Sequence, residues 1–599
     1  MGRTLCILVF SGLLMAEAAM AYTPTLTSVG IPVKWKAGPA LQLLGNPTNT
    51  SGLSDGEVSQ AVTRSLQRWK DASDNRVSFD YWQGADSKSY VSNNTYNGTS
   101  NFFFASSASG ANTGLSPSVL GLTQVWYNTE TGEILETDIV LNDKDFKFTT
   151  DVKATLGYGT IGNQRATYRD SVYIENVLTH ELGHAMGMSH SGGLQSTMLF
   201  MEAPEQSHLG CDDQIGIRAV YPASDASERG AIEGVVKDDR GGVVFGAQVV
   251  AISRRRGVVL ASALSNKSGK YRIEALEPGE YVLMVEPFFA GSSALPAYYS
   301  SMTSRSCKGG QLGRSFLVDT TTGIPQRVAV TAGGSAAAPD VAFRCTTDGG
   351  ASVTENSAAR VATTAPEIFN AASHSHGFAM VDAFDANAVA QYRLKSLSGS
   401  VEIRALSYSL YSPVQPVLAL VDSKGNEVST IKRTPVYTGD SGYMNLDYSL
   451  TVAHLPLGDY TLKIMTTAVS MDAYPAGPYQ IDTTPFMLVV GSVNEADPVM
   501  ADTIPFDARC RRDENFAAYV SSGNPPTQDS SATKGIGTCG SLAIASSDGD
   551  GSGGGDSGAS ASAIAGWFAP WIFMALIPLF QSCLLARRRL KWMVCQPLT

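Results

Sequence analysis

Three histidines and one glutamate stand at a spacing suited to holding a metal ion and activating a water molecule. The chain reads THELGHAMGMSH from Thr179 to His190, so His180 and His184 are four residues apart, with Glu181 between them. On a helix, residues four apart share one face, so both imidazoles could bind one Zn²⁺. Glu181 would then lie beside the metal, where a carboxylate can accept a proton from bound water.

Gly187 predicts where this helix ends. A residue without a Cβ tolerates the left-handed conformation that turns a chain out of a helix. The turn would bring His190 round as the third ligand and leave the fourth metal position open for water and substrate. Two alternatives stay open at this point: a zinc site without catalysis, and an ordinary helix that carries histidines.

Elements that could position these residues are recognisable on both sides of the motif. Ser54 and Glu57 form a capping-box pattern, and apolar residues recur at helical spacing from Val58 to Trp69, which predicts a helix to about Ala72. The pattern predicts a second helix over residues 171–186. Strands are predicted over three segments: Arg76–Trp82, Leu120–Tyr127 and Ile134–Leu141. These elements indicate a compact α+β unit.

Composition favours a multidomain protein that does not bind nucleic acid. The chain has 599 residues, of which 43% are hydrophobic and 17% charged, which is enough apolar material for several cores. The net charge of −11 argues against nucleic acid as a partner, because phosphate binding requires a basic surface. Short apolar runs separated by glycine turns predict β-sandwich domains over 228–346 and 367–492.

Both ends of the chain indicate export. Residues 1–21 have the pattern of a signal peptide, with Arg3 before an apolar run and small residues at Ala19 and Ala21. Four segments follow the predicted sandwich domains: a cysteine-containing segment (493–545), a Gly/Ser linker (546–562), an uncharged transmembrane helix (563–586) and a basic cytoplasmic tail (587–599). We therefore expect an exported protein, secreted or on the cell surface, that is at least initially anchored in the membrane.

The cysteines fit an oxidising compartment. Of eight in the chain, five lie between the two ends: Cys211, Cys307, Cys345, Cys510 and Cys539. Proximity in the sequence favours the pairs Cys307–Cys345 and Cys510–Cys539, other pairings stay open, and one of the five must be left over.

The histidine motif and its flanks resemble the metzincin metalloproteases, in particular their matrixin-like branch. Three segments extend the resemblance beyond the motif: Glu136–Asn142 (the strand before the active-site helix), Ser196–Met198 (the methionine turn) and Leu209–Pro222 (the closing helix). The resemblance covers roughly residues 25–222 and implies a catalytic domain over 22–223, with Met198 as the floor of the zinc site. It also implies that Glu181 takes a proton from zinc-bound water and returns it to the leaving amine.

The sequence departs from vertebrate matrixins at several points. No cysteine lies between Cys6 and Cys211, so latency through a propeptide thiolate on zinc is not expected. The histidines of a second, structural zinc site are absent, and Phe200 stands where the family often has Pro or Tyr. The resemblance implies structural Ca²⁺, for which no ligand set stands out in the sequence.

Two further resemblances concern the β-rich regions. Residues 230–286 resemble a carboxypeptidase regulatory-like domain, notably at Gly246-Ala247 and at Ser268–Tyr271. This domain is non-catalytic in that family, and we favour a spacer over a docking module. Residues 387–490 resemble a bacterial pre-peptidase C-terminal domain, a module that accompanies secreted peptidases.

The tail leaves two alternatives open. Gly551–Gly555, the apolar segment and Arg587–Arg589 resemble the GlyGly-type C-terminal sorting signals of Gram-negative bacteria, which are thought to be cut during export. A permanent single-pass anchor explains the same residues equally well.

The sequence as a whole predicts an α+β metzincin catalytic domain followed by β-sandwich domains and a C-terminal transmembrane helix. The predicted function is zinc-dependent hydrolysis of peptide bonds in extracellular proteins or peptides. One alternative is a non-catalytic surface adhesin whose metzincin domain only binds zinc. Another is an enzyme that acts on a cell-wall peptide.

The mass of the mature protein separates the two tail hypotheses. If the tail is a cleaved sorting signal, the surface or secreted form will lack residues Arg587–Arg589, because the cut falls before them. Intact mass spectrometry of that form measures this directly. A mature protein that retains the three arginines would contradict the sorting hypothesis and support a permanent anchor.

Overall fold

The computed structural model describes part of the chain: residues 22–36, 41–83, 96–105, 115–151, 171–191, 196–200, 202, 206–222, 224–253, 258–288, 296–304, 311–313, 315–317, 325–346, 367–370, 378–384, 389–406, 415–428, 431–435, 448–467, 484–492 and 538–546. The predicted signal peptide, transmembrane helix and basic tail lie outside these residues, as does the linker after Ser546. Within the described ranges, no helix is long and apolar enough to cross a membrane.

The first unit combines a twisted sheet with three helices. Its elements are β1 (Leu41–Gly45), α1 (Asp55–Ala72), β2 (Phe79–Gln83), β3 (Ser100–Phe104), β4 (Val119–Asn128), β5 (Ile134–Leu141), β6 (Phe148–Thr149), β7 (Val172–Tyr173), α2 (Ile174–Ala185) and α3 (Cys211–Val220). The large sheet has the order β2-β1-β3-β5-β4, and only β4 runs antiparallel to its neighbour β5. The predicted α+β character of this unit is therefore observed.

Helix α1 begins at the predicted capping box. The Ser54 hydroxyl accepts a hydrogen bond from the Glu57 N–H, and the Glu57 carboxylate accepts one from the Ser54 N–H. The apolar face from Val58 to Trp69 is buried, and the helix ends at Ala72. The sequence prediction for this helix is confirmed.

Two predicted boundaries are wrong by a few residues. Helix α2 begins at Ile174, not at residue 171, because Val172 and Tyr173 pair with β6 as a short parallel strand. Strand β2 begins at Phe79, not at Arg76, because Asp74 and Asn75 adopt positive φ angles of 53° and 58° in a turn after α1. The apolar patterns that predicted these two elements do not show that Val172 and Tyr173 pair with β6, or that the chain turns at Asp74 and Asn75.

The second unit consists of two facing sheets. Its strands are β8 (Gly230–Asp238), β9 (Ala247–Ser253), β10 (Val258–Leu264), β11 (Lys270–Leu276), β12 (Gly279–Pro287), β13 (Gln311–Gly313), β14 (Ser315–Phe316), β15 (Arg327–Val330), β16 (Ser335–Ala337) and β17 (Val341–Thr346). One sheet has the order β10-β9-β12-β14, with β15 also on β12. The other has the order β11-β8-β17-β13, with β16 also on β8.

The first two units share one hydrophobic core. A single cluster of buried residues runs from Trp69, Leu182 and Met188 in the first unit to Ile232 and Tyr271 in the second. Helix α3 lies against β10 and β11. The second unit is therefore packed onto the first, and the sequence-based preference for a spacer over a docking module stays a prediction about its role.

The third unit is a seven-stranded sheet with its own core. Its strands are β18 (Glu367–Asn370), β19 (Phe378–Phe384), β20 (Val389–Leu406), β21 (Gln415–Val421), β22 (Ile431–Pro435), β23 (Tyr448–Thr467) and β24 (Thr484–Ser492). The order is β19-β24-β20-β23-β21, with β18 on β20 and β22 on β23. Register shifts between Leu394 and Val401 divide the long strands β20 and β23 into halves that pair with different neighbours.

The predicted cysteine-containing segment ends in a strand. Strand β25 (Thr538–Ser546) pairs in parallel with β4 and so extends the sheet of the first unit. Among the cysteines, Cys211 is disulfide-bonded. The two pairs favoured by sequence proximity, Cys307–Cys345 and Cys510–Cys539, would leave Cys211 unpaired, so at least one of them is wrong.

Candidate metal centre

Helix α2, which carries the motif, is fixed to α1 by a buried ion pair. Glu175 is fully buried, and its two carboxylate oxygens accept hydrogen bonds from Arg64 at 2.6 Å and Arg68 at 2.7 Å. The indole N–H of Trp69 donates to the carbonyl of Thr179 at 2.7 Å. These contacts join the middle of α1 to the first two turns of α2, directly before His180.

The three predicted ligand histidines converge. One metal-ligating atom from each of His180, His184 and His190 lies within 4.8 Å of the other two, and all three residues are buried. The Nε2 atoms of His184 and His190 are 3.3 Å apart. In the part of the chain that the structure describes, this is the one cluster of three or more His, Cys, Asp or Glu side chains that could hold a metal ion.

Backbone carbonyls set the orientation of two of the rings. Nδ1 of His180 lies 2.7 Å from the carbonyl oxygen of Thr197, and Nδ1 of His184 lies 2.9 Å from that of Met188. A carbonyl only accepts, so each Nδ1 carries the proton and each Nε2 keeps its lone pair for a metal. Nε2 of His180 is buried and has no hydrogen-bond partner, which fits a ligand position and not a satisfied core histidine.

Burial keeps these imidazoles neutral. Desolvation, with a smaller contribution from the neighbouring His190, lowers the pKa of His180 to about 3, although the hydrogen bond to Thr197 opposes the shift. Desolvation also lowers the pKa of His184 well below its usual value. Neutral imidazole is the form that binds Zn²⁺, so the environment favours the ligating state at neutral pH.

Gly187 turns the chain as the sequence predicts. Its φ is +91°, and a Cβ at this position would lie 2.1 Å from the carbonyl oxygen of Val33. The N–H of Gly187 donates to the carbonyl of His184, and Met188 donates to Gly183. A left-handed glycine thus ends the helix and directs the chain to His190.

Met198, which the sequence predicts as the floor of the site, packs against α2 at Gly183. A Cβ on Gly183 would lie 2.3 Å from the Met198 sulfur, so a residue without a side chain is needed where the two meet. Met198 itself is buried. It therefore contacts the helix turn that lies between His180 and His184.

Asp213 holds the methionine turn. Its carboxylate accepts hydrogen bonds from the Ser196 hydroxyl at 2.6 Å and the Thr197 N–H at 2.6 Å. It also accepts from the N–H groups of Met198 and Gly210. Burial raises the pKa of Asp213, whereas these four donors act in the opposite direction. The carboxylate thereby fixes the Thr197 carbonyl that orients His180.

Glu181 faces the sheet beside the histidine cluster. The Thr123 hydroxyl on β4 lies 2.7 Å from Glu181 Oε2, and Glu181 is fully buried. The side chain is thus held by a neighbour from the sheet. In this arrangement Glu181 lies on the same helix turn as His180, next to a cluster of three buried imidazoles.

Sequence reasoning found the ligands and missed the residues that hold them. Five such residues are Thr123, Glu175, Thr197, Gln206 and Asp213. Gln206 donates to the carbonyls of Thr197 and Leu199 at 2.8 Å each. Asp213 lies in a segment that the matrixin resemblance already included, so its acidic side chain was a usable signal. Thr123 and Gln206 carry no local signal, because each acts only through a contact with a distant segment.

Comparison with protein families identifies the first two units. Residues 41–222 match the matrixin family model, and residues 231–293 match the carboxypeptidase regulatory-like domain. The chain thus contains a matrixin domain followed by a carboxypeptidase regulatory-like domain, as their sequence resemblances predicted. The matrixin domain supports a zinc metallopeptidase-type function. No curated protein matches the chain.

Solved structures add only distant likenesses. The major pilin subunit BcpA of Bacillus cereus is 10% identical, with 40% of this chain and 59% of that chain covered and a TM-score of 0.11. The major pilin SpaD of Corynebacterium diphtheriae is 7% identical, with 41% and 58% covered and a TM-score of 0.12. The chain therefore spans less than two thirds of the length of these pilins. TM-scores this low support no assignment of fold or function.

The buried histidines predict a loss of stability in acid. The folded pKa of His180 is about 3, whereas an unfolded imidazole titrates near 6.5, so below about pH 6.5 the unfolded chain binds the extra proton. We expect the His180 contribution to the free energy of unfolding of the zinc-free protein to decrease as the pH falls from about 6.5 towards 3. Urea unfolding at several pH values measures this.

A comparison of variants isolates this contribution. Burial raises the pKa of Asp138 to about 7 and that of Asp212 to about 6, and such carboxyls stabilise the fold as the pH falls, which is the opposite sign. His180→Asn should therefore change the pH dependence of unfolding relative to wild type. Identical pH profiles for wild type and His180→Asn would contradict the prediction.

Proposed function

We propose that the protein is a zinc-dependent endopeptidase that hydrolyses peptide bonds of extracellular proteins or peptides. The observation that carries this proposal is the convergence of three buried imidazoles, of which burial keeps His180 and His184 neutral, with Glu181 on the same helix. The match of residues 41–222 to the matrixin family supports it independently.

In this proposal each residue of the site would have a distinct role. The Nε2 atoms of His180 and His184, together with a ring nitrogen of His190, would hold the metal. A bound Zn²⁺ would supply a Lewis acid that polarises the scissile carbonyl and lowers the pKa of water. Glu181 would accept the proton from that water and deliver it to the leaving amine. Thr123 would keep the Glu181 carboxylate directed towards the cluster, and Met198 would form the floor without ligating.

A substitution of Glu181 tests catalysis separately from metal binding. Glu181→Gln keeps the shape of the side chain but cannot accept a proton, so we expect kcat/KM to fall by about 10²–10⁴-fold with the zinc content unchanged. His184→Ala should instead lose the zinc, of which we expect one per chain. A peptide-library assay and metal analysis provide the two measurements, and the exposed Glu130→Gln serves as the control.

The same experiment separates the rival functions. If wild type with zinc cleaves no protein or peptide library, or if Glu181→Gln cleaves equally well, the endopeptidase proposal is wrong and a binding role, such as that of an adhesin, is favoured. Cleavage restricted to cell-wall peptides would support the second alternative. The library's cleavage profile also defines the substrate, which the family match leaves open.

We further propose a structural Ca²⁺ site on the outer face of the sheet. Glu136 and Asp138 on β5 and Asn101 on β3 are all buried, at 0%, 4% and 1% exposure. Asn101 donates to Asp138 at 2.9 Å, and Asn101 Oδ1 and Glu136 Oε1 have no hydrogen-bond partner. Two carboxylates and an amide oxygen are ligands that Ca²⁺ prefers, and buried oxygens without partners need such compensation.

Calcium should stabilise the wild-type protein and not Asp138→Asn. Binding to the folded state alone contributes about 2.7 kcal/mol at a concentration one hundred times Kd. Calorimetric Tm with Ca²⁺ or with a chelator measures this, and Glu130→Gln controls for the loss of one surface charge. An equal rise in Tm for wild type and Asp138→Asn would place any calcium elsewhere.

For localisation, we propose export to the cell surface or medium, with the C-terminal segment 563–586 as at least a temporary membrane anchor. The charge pattern of residues 1–21 and 563–599 supports this proposal. The mature mass described for the tail tests it as well, because an exported form should also lack residues 1–21.

A further inference from the structure

One buried carboxylate joins the segment that carries His190 to the second unit. Asp212, at the start of α3, is 3% exposed. Its Oδ2 accepts a hydrogen bond from the hydroxyl of Ser191, the residue after His190, at 2.7 Å. Its Oδ1 accepts from the N–H of Ser262 on β10 at 2.7 Å, and the Ser262 hydroxyl lies 3.1 Å from the same oxygen. The first and second units therefore meet one residue away from His190.

The N-terminal segment forms a second connection between the same elements. The Tyr22 N–H donates to the carbonyl of Ser262. Three residues further on, Thr25 N–H donates to the carbonyl of Gly187 at 2.8 Å, and between them the carbonyl of Thr23 accepts from Ser189 N–H at 2.8 Å. Residues 22–25 thus lie between β10 and the chain that leads from Gly187 to His190.

An apolar contact supports the other side of the ligand segment. Phe200 packs against a cluster of the second unit that includes Phe245, Tyr298 and Tyr299. Its ring centroid is 6.4 Å from that of His190. The second unit therefore contacts the surroundings of His190 through both polar and aromatic groups.

His190 depends on these contacts more than the other two ligands do. His180 and His184 belong to α2, whose backbone hydrogen bonds and anchors to α1 fix their positions. His190 follows the helix on a segment without regular hydrogen bonding, so its position is set by what holds its neighbours. The N–H of Ser191 donates to the Met198 carbonyl at 2.8 Å, within the first unit, whereas its hydroxyl is linked to Ser262 through Asp212. The N–H of Ser189 is linked to Ser262 through residues 22–25.

We propose that the carboxypeptidase regulatory-like domain is a positioning element of the metal centre, and that Asp212 and Ser262 hold the segment of His190 in its ligating position. This inference rests on the zinc site of the proposed function and not on catalysis. The second unit would then affect how tightly the protein binds zinc, which neither a spacer nor a docking module would do.

Zinc affinity of the full chain tests the proposal. Asp212→Asn keeps an acceptor for Ser262 but loses a carboxylate oxygen for Ser191, and we expect zinc to bind about 10–100-fold more weakly, as is typical when an outer partner of a ligand is lost. Ser262→Ala removes only the hydroxyl on the second unit and should weaken zinc binding to a smaller extent. Competition with a chromophoric chelator measures both affinities.

Ser265→Ala is the matched control. Ser265 is buried near Ser262, but its hydroxyl donates to the Val244 carbonyl and accepts from the Ala247 N–H, both within the second unit. We expect this variant to lose thermal stability while it keeps the zinc affinity of wild type. If Asp212 and Ser262 stabilise the fold but do not position His190, all three variants will have the same zinc affinity.

The outcomes distinguish this inference from the proposed function. Wild-type zinc affinity in Ser262→Ala and in folded Asp212→Asn would overturn the inference. If Asp212→Asn fails to fold, the zinc affinity of Ser262→Ala compared with that of Ser265→Ala decides whether the second unit positions His190. A wild type that binds zinc but cleaves no peptide would refute the endopeptidase, and the affinities would still decide the positioning role. A wild type that binds no zinc would refute both.

Discussion

The geometry of the metal centre depends on the carboxylate of Asp213. Four donors from the methionine turn and the start of α3 converge on it, so the turn cannot shift without leaving a buried charge unsatisfied. The turn presents the Thr197 carbonyl that orients His180 and the Met198 side chain that supports α2. A residue outside the histidine cluster thereby determines which ring nitrogen of His180 faces the other two histidines.

A second constraint acts from the other end of α2. The Glu175 carboxylate is fully buried, and Arg64 and Arg68 each donate to one of its two oxygens, so loss of either arginine would leave one buried oxygen without this donor. This pair, together with the Trp69 bond to Thr179, fixes the rotation of α2 against α1. That rotation sets the directions of His180, Glu181 and His184, because all three lie on α2.

The second unit changes how the domain organisation is understood. Its sequence indicates a separate non-catalytic module, and the family match treats it as one. The structure joins it to the matrixin domain through a common hydrophobic core and through Asp212. Such a core favours cooperative behaviour of the two units, because neither can expose its share of the interface without losing apolar burial.

The sequence by itself determined the three histidines that cluster, the position of Glu181 between two of them, the glycine that ends α2 and the capped helix α1. Each of these is encoded within a few residues, where fixed spacing and local backbone preferences suffice. Only the tertiary structure decided the start of α2, the buried partners Thr123, Glu175 and Asp213, and the packing of the second unit. Those features depend on contacts between segments tens of residues apart, and no local pattern specifies which distant donor will meet a given acceptor.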